Sequence, residues 1–171
     1  SSGLVGSEMC IRDSFYIIPS PIGNLDDITI RAIDVITKVD FLVVENRTTT
    51  QNLLKRLKLG KKKIFTYNDH SNDAKRQNIV EQLKSGLVGG IISDAGTPLI
   101  SDPGYKLISE LISNNINITS LPGPTAVITA LTGSGLPTDK FQFNGFLPKK
   151  NKELVEVLNN CSSFSGTSIF Y

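Results

Sequence analysis

From Phe15 onward, short apolar runs alternate with segments whose apolar residues recur at helical spacing. The runs at 15–19 (FYIIP), 40–45 (DFLVVE), 63–67 (KIFTY), 87–93 (LVGGIIS), 117–121 (NITSL), 141–146 (FQFNGF) and 167–171 (TSIFY) predict strands. The segments between them, 28–38, 49–59, 73–85, 104–115, 124–133 and 150–160, predict helices. FLVVE and GGIIS are almost continuously apolar, as in strands covered by helices on both faces. This alternation predicts an α/β fold with a largely parallel sheet flanked by helices.

Residues 1–14 (SSGLVGSEMCIRDS) follow neither period and lack the charged start and apolar centre of a signal peptide. They read as an extraneous segment, the alternative being a short native arm beginning at Met9. Setting them aside leaves 17 basic against 14 acidic residues, and Cys161 as a lone thiol in a reducing, cytoplasmic compartment. No apolar run approaches the ~20 residues that span a bilayer, and two cysteines make no disulfide scaffold. The charge balance is too even to declare nucleic-acid binding by itself. A PTD step near Leu136–Lys140 suggests a division into one domain over 15–138 and the start of a second α/β domain over 139–171. The strand pattern TSIFY stops without a turn or cap, so the chain is expected to be a fragment, with weak or no activity of its own because half of the cleft between the two domains would be absent.

Twelve of the 22 Gly and Pro residues lie between Ser93 and Pro148, at the expected carboxyl ends of strands, where open α/β sheets bind ligands. The first of three notable loops is SPIGNLDDIT (Ser20–Thr29), with Pro21 and Gly23 shaping a turn and Asp27 or Thr29 placed to cap the next helix. It carries no GxGxxG fingerprint. The second, SDAGTPLISDPG (Ser93–Gly104), is the most informative. Ala95 and Gly96 leave room for a ligand at the backbone, Pro98 and Pro103 stiffen the loop, and Asp94 and Asp102 present carboxylates. Asp102 is equally expected to cap the following helix. The third, LPGPTAVITAL (Leu121–Leu131), predicts a helix opened by Pro124, with Thr125 and the first amides able to meet a ligand. Pro124 is explained by helix initiation alone, whereas Gly123 is not.

SPIGNL, SDAGTPLISDPG, PGPTA, SGLP (Ser134–Pro137) and FNGFLP (Phe143–Pro148) occur in the order and spacing of one family. Together they resemble the ribosomal RNA small subunit methyltransferase I family, a branch of the tetrapyrrole methylase superfamily, across Phe15–Tyr171. The resemblance implies S-adenosylmethionine as methyl donor without a metal, a cytidine 2′-hydroxyl in 16S ribosomal RNA of the small subunit as acceptor, a homodimer and no membrane. It implies a donor site at Pro21, Gly96, Thr97, Pro98, Ile100, Thr125 and Ala126, to which Gly23, Asp94, Ala95, Ser101 and Gly123 of the same loops are added.

A ribose hydroxyl is a poor nucleophile when neutral, so an orienting acceptor or base beside it would help the transfer. Glu45, Asp69 and His70 follow strands on the edge that carries the donor loops and are the candidates. Glu45 could instead pair with Arg47 or cap a helix, and a lone His is often structural. Two departures from the family bear on this region: Glu45-Asn46-Arg47-Thr48 stands for Glu-Asp-Thr-Arg, and Tyr67-Asn68-Asp69-His70-Ser71 for Tyr-His-Glu-His-Asn. Basic clusters at Lys55, Arg56, Lys58 and Lys61–Lys63, and at Lys149, Lys150 and Lys152, suit either ribosomal phosphates or solvated helix ends. The rival readings are a methylase of tetrapyrrole-type small molecules and a non-catalytic nucleotide- or RNA-binding domain.

Overall fold

The structure, a computed structural model, describes residues 14–68 and 73–171. Every expected strand and helix within these residues is present. Five parallel strands, β1 (Ser14–Ile18), β2 (Phe41–Val44), β3 (Lys63–Thr66), β4 (Gly89–Ile92) and β5 (Asn117–Ser120), form one sheet in the order β3-β2-β4-β1-β5. Around it lie α1 (Ile30–Lys38), α2 (Arg47–Arg56), α3 (Asp73–Lys84), α4 (Tyr105–Ser113) and α5 (Ala126–Gly133). A second, two-stranded parallel sheet joins β6 (Phe141–Phe143) to β7 (Thr167–Ile169), with α6 (Asn151–Ser162) between them in sequence.

Alternate strand residues feed two separate cores, as the period of a strand requires. Tyr16, Ile18, Leu42, Val44 and Ile92 pack with Ala32, Val35 and Ile36 of α1 and Leu54 of α2. Phe15, Ile17, Phe41, Val43 and Ile91 pack with Ile79, Val80 and Leu83 of α3 and Leu107 and Leu111 of α4. Helices therefore cover both faces, which explains the uninterrupted apolar run of β2, all four of whose residues are buried. Gly89 of the central strand is a packing requirement. A Cβ there would lie 2.4 Å from the Phe41 ring.

The order of strands and the sides taken by their helices create a switch point. The chain leaves β1 and β2 toward the face of α1 and α2, but leaves β4 toward the face of α3 and α4. Because β4 lies between β2 and β1, the connections diverge above its carboxyl end and open a crevice there.

Several boundaries differ from expectation for local reasons. The first strand begins at Ser14, one residue inside the stretch set aside, because Ser14 pairs with Asn117. The second helix starts at Arg47 rather than residue 49, since the Asn46 side chain accepts from the Thr48 and Thr49 amides. It stops at Arg56, where Lys58 takes φ +57°. Thr29, not Asp27, caps α1 by accepting from the Ala32 amide, and Asp27 falls in a 3-10 turn at Leu25–Asp27 that the periodicity did not announce. The sixth strand ends at Phe143, before Gly145 turns the chain at φ +66°.

Candidate functional site

The crevice is closed at its base by a pair of backbone hydrogen bonds. Ser20 N donates to Gly96 O at 2.9 Å and Gly96 N to Ser20 O at 3.1 Å, joining the loops after β1 and β4. Two buried hydroxyls reinforce the joint: Ser20 Oγ donates to Ser93 O at 3.0 Å, and Ser93 Oγ to Gly96 O at 3.0 Å. The loop after β5 is tied in by Thr97 Oγ1, which donates to Pro124 O at 3.0 Å. Gly123 now has its reason, because a Cβ there would lie 2.5 Å from Cβ of Pro19. The three loops singled out in the sequence thus meet as one assembly. Ser20 and Ser93 carry much of it, and their only sequence signal was a hydroxyl at the end of an apolar strand.

The β4–α4 loop is unusually contorted. Gly96, Leu99, Ser101 and Gly104 have φ of +78°, +75°, +61° and +130°, two of them at residues with side chains. Left-handed backbone at non-glycine positions is costly, on the order of 1–3 kcal/mol each, and collects where a site needs it. Gly104 is itself the N-cap of α4, with a would-be Cβ 2.7 Å from Leu99 Cδ2. That corrects the expectation that Asp102 caps this helix: it lies two residues before the cap and serves a different place. Likewise Pro124 does not open α5. The helix starts at Ala126, with Thr125 at the N-cap and no side-chain cap hydrogen bond, leaving the Thr125 hydroxyl uncommitted to capping.

The structure divides the expected donor residues among three positions. Gly96, Thr97, Gly123, Thr125 and Ala126 stand at the junction of the loops. Pro21, Gly23, Asp94 and Ala95 line a cleft of about 460 Å³ whose opposite wall is Thr49, Asn52, Leu53 and Arg56 of α2. Pro98 lies instead in a small recess with Glu45, Tyr67, Ser93 and Asp102. Ile100 and Ser101 are exposed, and Gly145, just after β6, approaches Ser101, its would-be Cβ 3.6 Å from the Ser101 hydroxyl oxygen.

Among the catalytic candidates, Glu45 faces this recess at the end of β2, while Asp69 and His70 lie outside the described residues. Glu45 does not cap α2, since Asn46 does, and Arg47 donates from Nη2 to Ile64 O at 2.7 Å. Asn46 therefore does the capping that an aspartate would do, so the Asn46 part of this departure is structurally conservative. Asp102 is a further carboxyl in the recess, in keeping with the expectation that the loop presents it there rather than with its alternative role as a cap. Partial burial raises its pKa above the ordinary 3.8, the Asp94 carboxylate adds to the rise, and the Ser93 hydroxyl opposes it.

The basic cluster around β3 separates into distinct duties. Lys62 donates to the Thr37 and Val39 carbonyls at 2.6 and 2.8 Å, closing the end of α1, and Lys63 bonds Gln82 while lying over the Phe65 ring. Lys55 and Lys61 line another groove with Gln51 and Leu59. Of this cluster, Arg56 is the one that lines the cleft beside the loops after β1 and β4. In the second cluster Lys150 pairs with Glu153 at 3.1 Å. Among the described residues no helix is long and apolar enough to cross a membrane.

The sequence profile of the Tetrapyrrole (Corrin/Porphyrin) Methylases matches residues 14–171. The chain is 49% identical over 156 residues to a ribosomal RNA small subunit methyltransferase I of Vibrio cholerae, covering 91% of this chain and 54% of that protein. It is 43% identical to the protein of the same name from Rickettsia prowazekii, over 95% of this chain and 58% of the relative. The chain thus spans a little over half the length of these curated relatives. A crystal structure of diphthine synthase superposes with a TM-score of 0.71 at 13% identity, covering 92% of this chain and 64% of that one. Uroporphyrin-III-C-methyltransferase from Thermus thermophilus gives 0.60 at 18% identity, covering 84% and 72%. At these identities the likeness is one of fold, and it matches the layered α/β arrangement described above.

Proposed function

The chain belongs to the tetrapyrrole (corrin/porphyrin) methylases, and on that footing we propose that it serves S-adenosylmethionine-dependent methylation of a cytidine 2′-hydroxyl in small-subunit (16S) ribosomal RNA. The observation that carries this reading is the switch-point crevice, closed by Ser20 and Gly96 and framed by the three loops. Ribosomal RNA of the small subunit is taken from the shared name of the relatives, and the cytidine 2′-hydroxyl from what the resemblance of the loop motifs implies. The working protein on this reading is a cytoplasmic homodimer that acts on the small ribosomal subunit.

The loop junction fits a donor of this kind. Gly96 takes φ +78°, and a Cβ on it would press to 3.2 Å from Ile22 and 3.8 Å from the Pro124 carbonyl oxygen, so glycine is what lets the three loops close together there. The Thr125 hydroxyl and the first amides of α5 carry no side-chain cap hydrogen bond and follow directly on Pro124, which Thr97 ties into the junction. Gly96, Thr97, Pro98, Ile100, Ser101, Gly123, Thr125 and Ala126 would hold the donor, with Pro21, Gly23, Asp94 and Ala95 on its rim. The donor supplies an electrophilic methyl group with a good leaving group already attached. The protein's remaining work is positioning: bringing the hydroxyl into line and accepting its proton. Glu45, which lines the recess at the end of β2, is proposed to orient that hydroxyl, with Asp69 and His70 as the further candidates.

The test is incubation with small ribosomal subunits and methyl-labelled donor, followed by nucleoside mass spectrometry. Label in 2′-O-methylcytidine supports the reading. Label on a base instead would correct the acceptor atom, and transfer only to a tetrapyrrole would overturn the RNA assignment.

A further inference from the structure

Of the basic residues clustered around α2 and β3, the structure separates Arg56 from its neighbours. Its side chain lines the cleft over the carboxyl end of β4, whereas Lys55 and Lys61 line a different groove and Lys62 is bound to the carbonyls ending α1. Thr49, Asn52 and Arg56 are spaced three and four residues apart, so they share one face of α2. Opposite them are Pro21 to Gly23 and Leu25, and Asp94 and Ala95 stand at the end nearest the donor loops. From Thr49 to Arg56 the helix advances about 10 Å, and a helical side chain leans toward its own N-terminus, here toward the donor edge.

We propose that this cleft is a subsite for the RNA strand next to the methylated nucleotide, with Arg56 meeting a backbone phosphate. The inference rests on the RNA reading given above. Three features favour a stretch of polynucleotide over a small ligand or a protein. The walls include exposed Asn52, Arg56, Gly23, Asp94 and Ala95, so the cleft is an open channel, whereas small-molecule sites enclose most of their ligand. Its chemistry is mixed in the way a nucleotide requires. A guanidinium that forms no ion pair among the described residues suits a phosphate. A carboxylate, an amide and a hydroxyl suit sugar hydroxyls and base amino groups. Finally, the channel begins at the rim of the proposed donor site, so a strand lying in it delivers its next ribose to the loop junction.

The test compares Arg56→Gln, Arg56→Lys and Lys61→Gln with the unaltered protein, measuring affinity for purified small ribosomal subunits across a salt series and affinity for S-adenosylmethionine by calorimetry. Arg56→Gln is expected to weaken subunit binding about tenfold and to flatten the salt dependence by about one unit of slope. Donor affinity stays unchanged, and so does the thermal midpoint, since Arg56 is exposed. Arg56→Lys should keep the slope while recovering part of the affinity, and Lys61→Gln should behave as the unaltered protein. Equal subunit affinity in Arg56→Gln overturns the subsite while leaving the RNA reading intact. A loss of donor affinity instead assigns the cleft to the donor and also overturns it. Equal losses in Arg56→Gln and Lys61→Gln mean diffuse binding, and no subunit binding by the unaltered protein removes both the reading and the subsite.

Discussion

The Thr97 hydroxyl donates to the Pro124 carbonyl across 27 residues of sequence, and this one contact makes the β4–α4 and β5–α5 loops a single edge. Thr97→Val keeps the shape and removes the donor, leaving a partly buried carbonyl without that partner. A loss of about 1 kcal/mol in folding stability is expected. On the proposed reading, donor affinity should fall severalfold, because two walls of its site come apart. Chemical denaturation and calorimetry on the same variant measure the two effects. Unchanged stability would mean that the loops are positioned by something else.

Gly123 abuts Pro19 so closely that a Cβ would lie 2.5 and 2.7 Å from two atoms of the proline ring. Gly123→Ala must therefore displace either the end of β1 or the start of the β5–α5 loop. Overpacking of this kind costs roughly 1–3 kcal/mol. The expected result is a lowered thermal midpoint. Gly133→Ala, whose added Cβ meets nothing within 4 Å, should not share it.

Asn46 accepts from two amides at the start of α2, at 2.9 and 3.3 Å. Asn46→Ala should cost about 1 kcal/mol, and Asn46→Asp should be neutral or slightly stabilising, because a carboxylate caps as well and favours a helix N-terminus. Urea midpoints of the two variants check this. A large loss in Asn46→Asp would show that the position does more than cap.

The elements were legible because hydrophobic period and loop composition agreed: FLVVE announced a strand covered on both faces, and Thr29 announced the start of α1. The meeting of the three loops was legible only through their motifs. Local pattern says nothing of strand order, and it is β4 lying between β2 and β1 that sets Gly96 against Ser20. Asp102 and Pro124 lie close in sequence to the starts of α4 and α5 without forming them, because Gly104 and Thr125 occupy the cap positions. The duties of Lys62 and Arg56 were illegible, because a run of cations looks uniform until the sheet separates one groove from another.

The recess beneath the β4–α4 loop makes a prediction with a definite sign. Burial, together with the Asp94 carboxylate, holds the Asp102 carboxyl above its ordinary value of 3.8, so across that interval the folded protein binds more protons at this site than the unfolded chain. Stability from this group is therefore full below the unfolded value, declines as pH rises toward the elevated one, and stays at the lower level beyond it. Asp102→Asn removes the decline. Relative to the unaltered protein, the variant should gain stability on passing from pH 3 to pH 7. Asp94→Asn should produce part of the same gain by removing the neighbouring charge while keeping Asp102. Denaturant midpoints at the two pH values for all three proteins decide the matter, and a difference that shrinks toward pH 7 would show that Ser93 and its surroundings favour the ionised carboxylate.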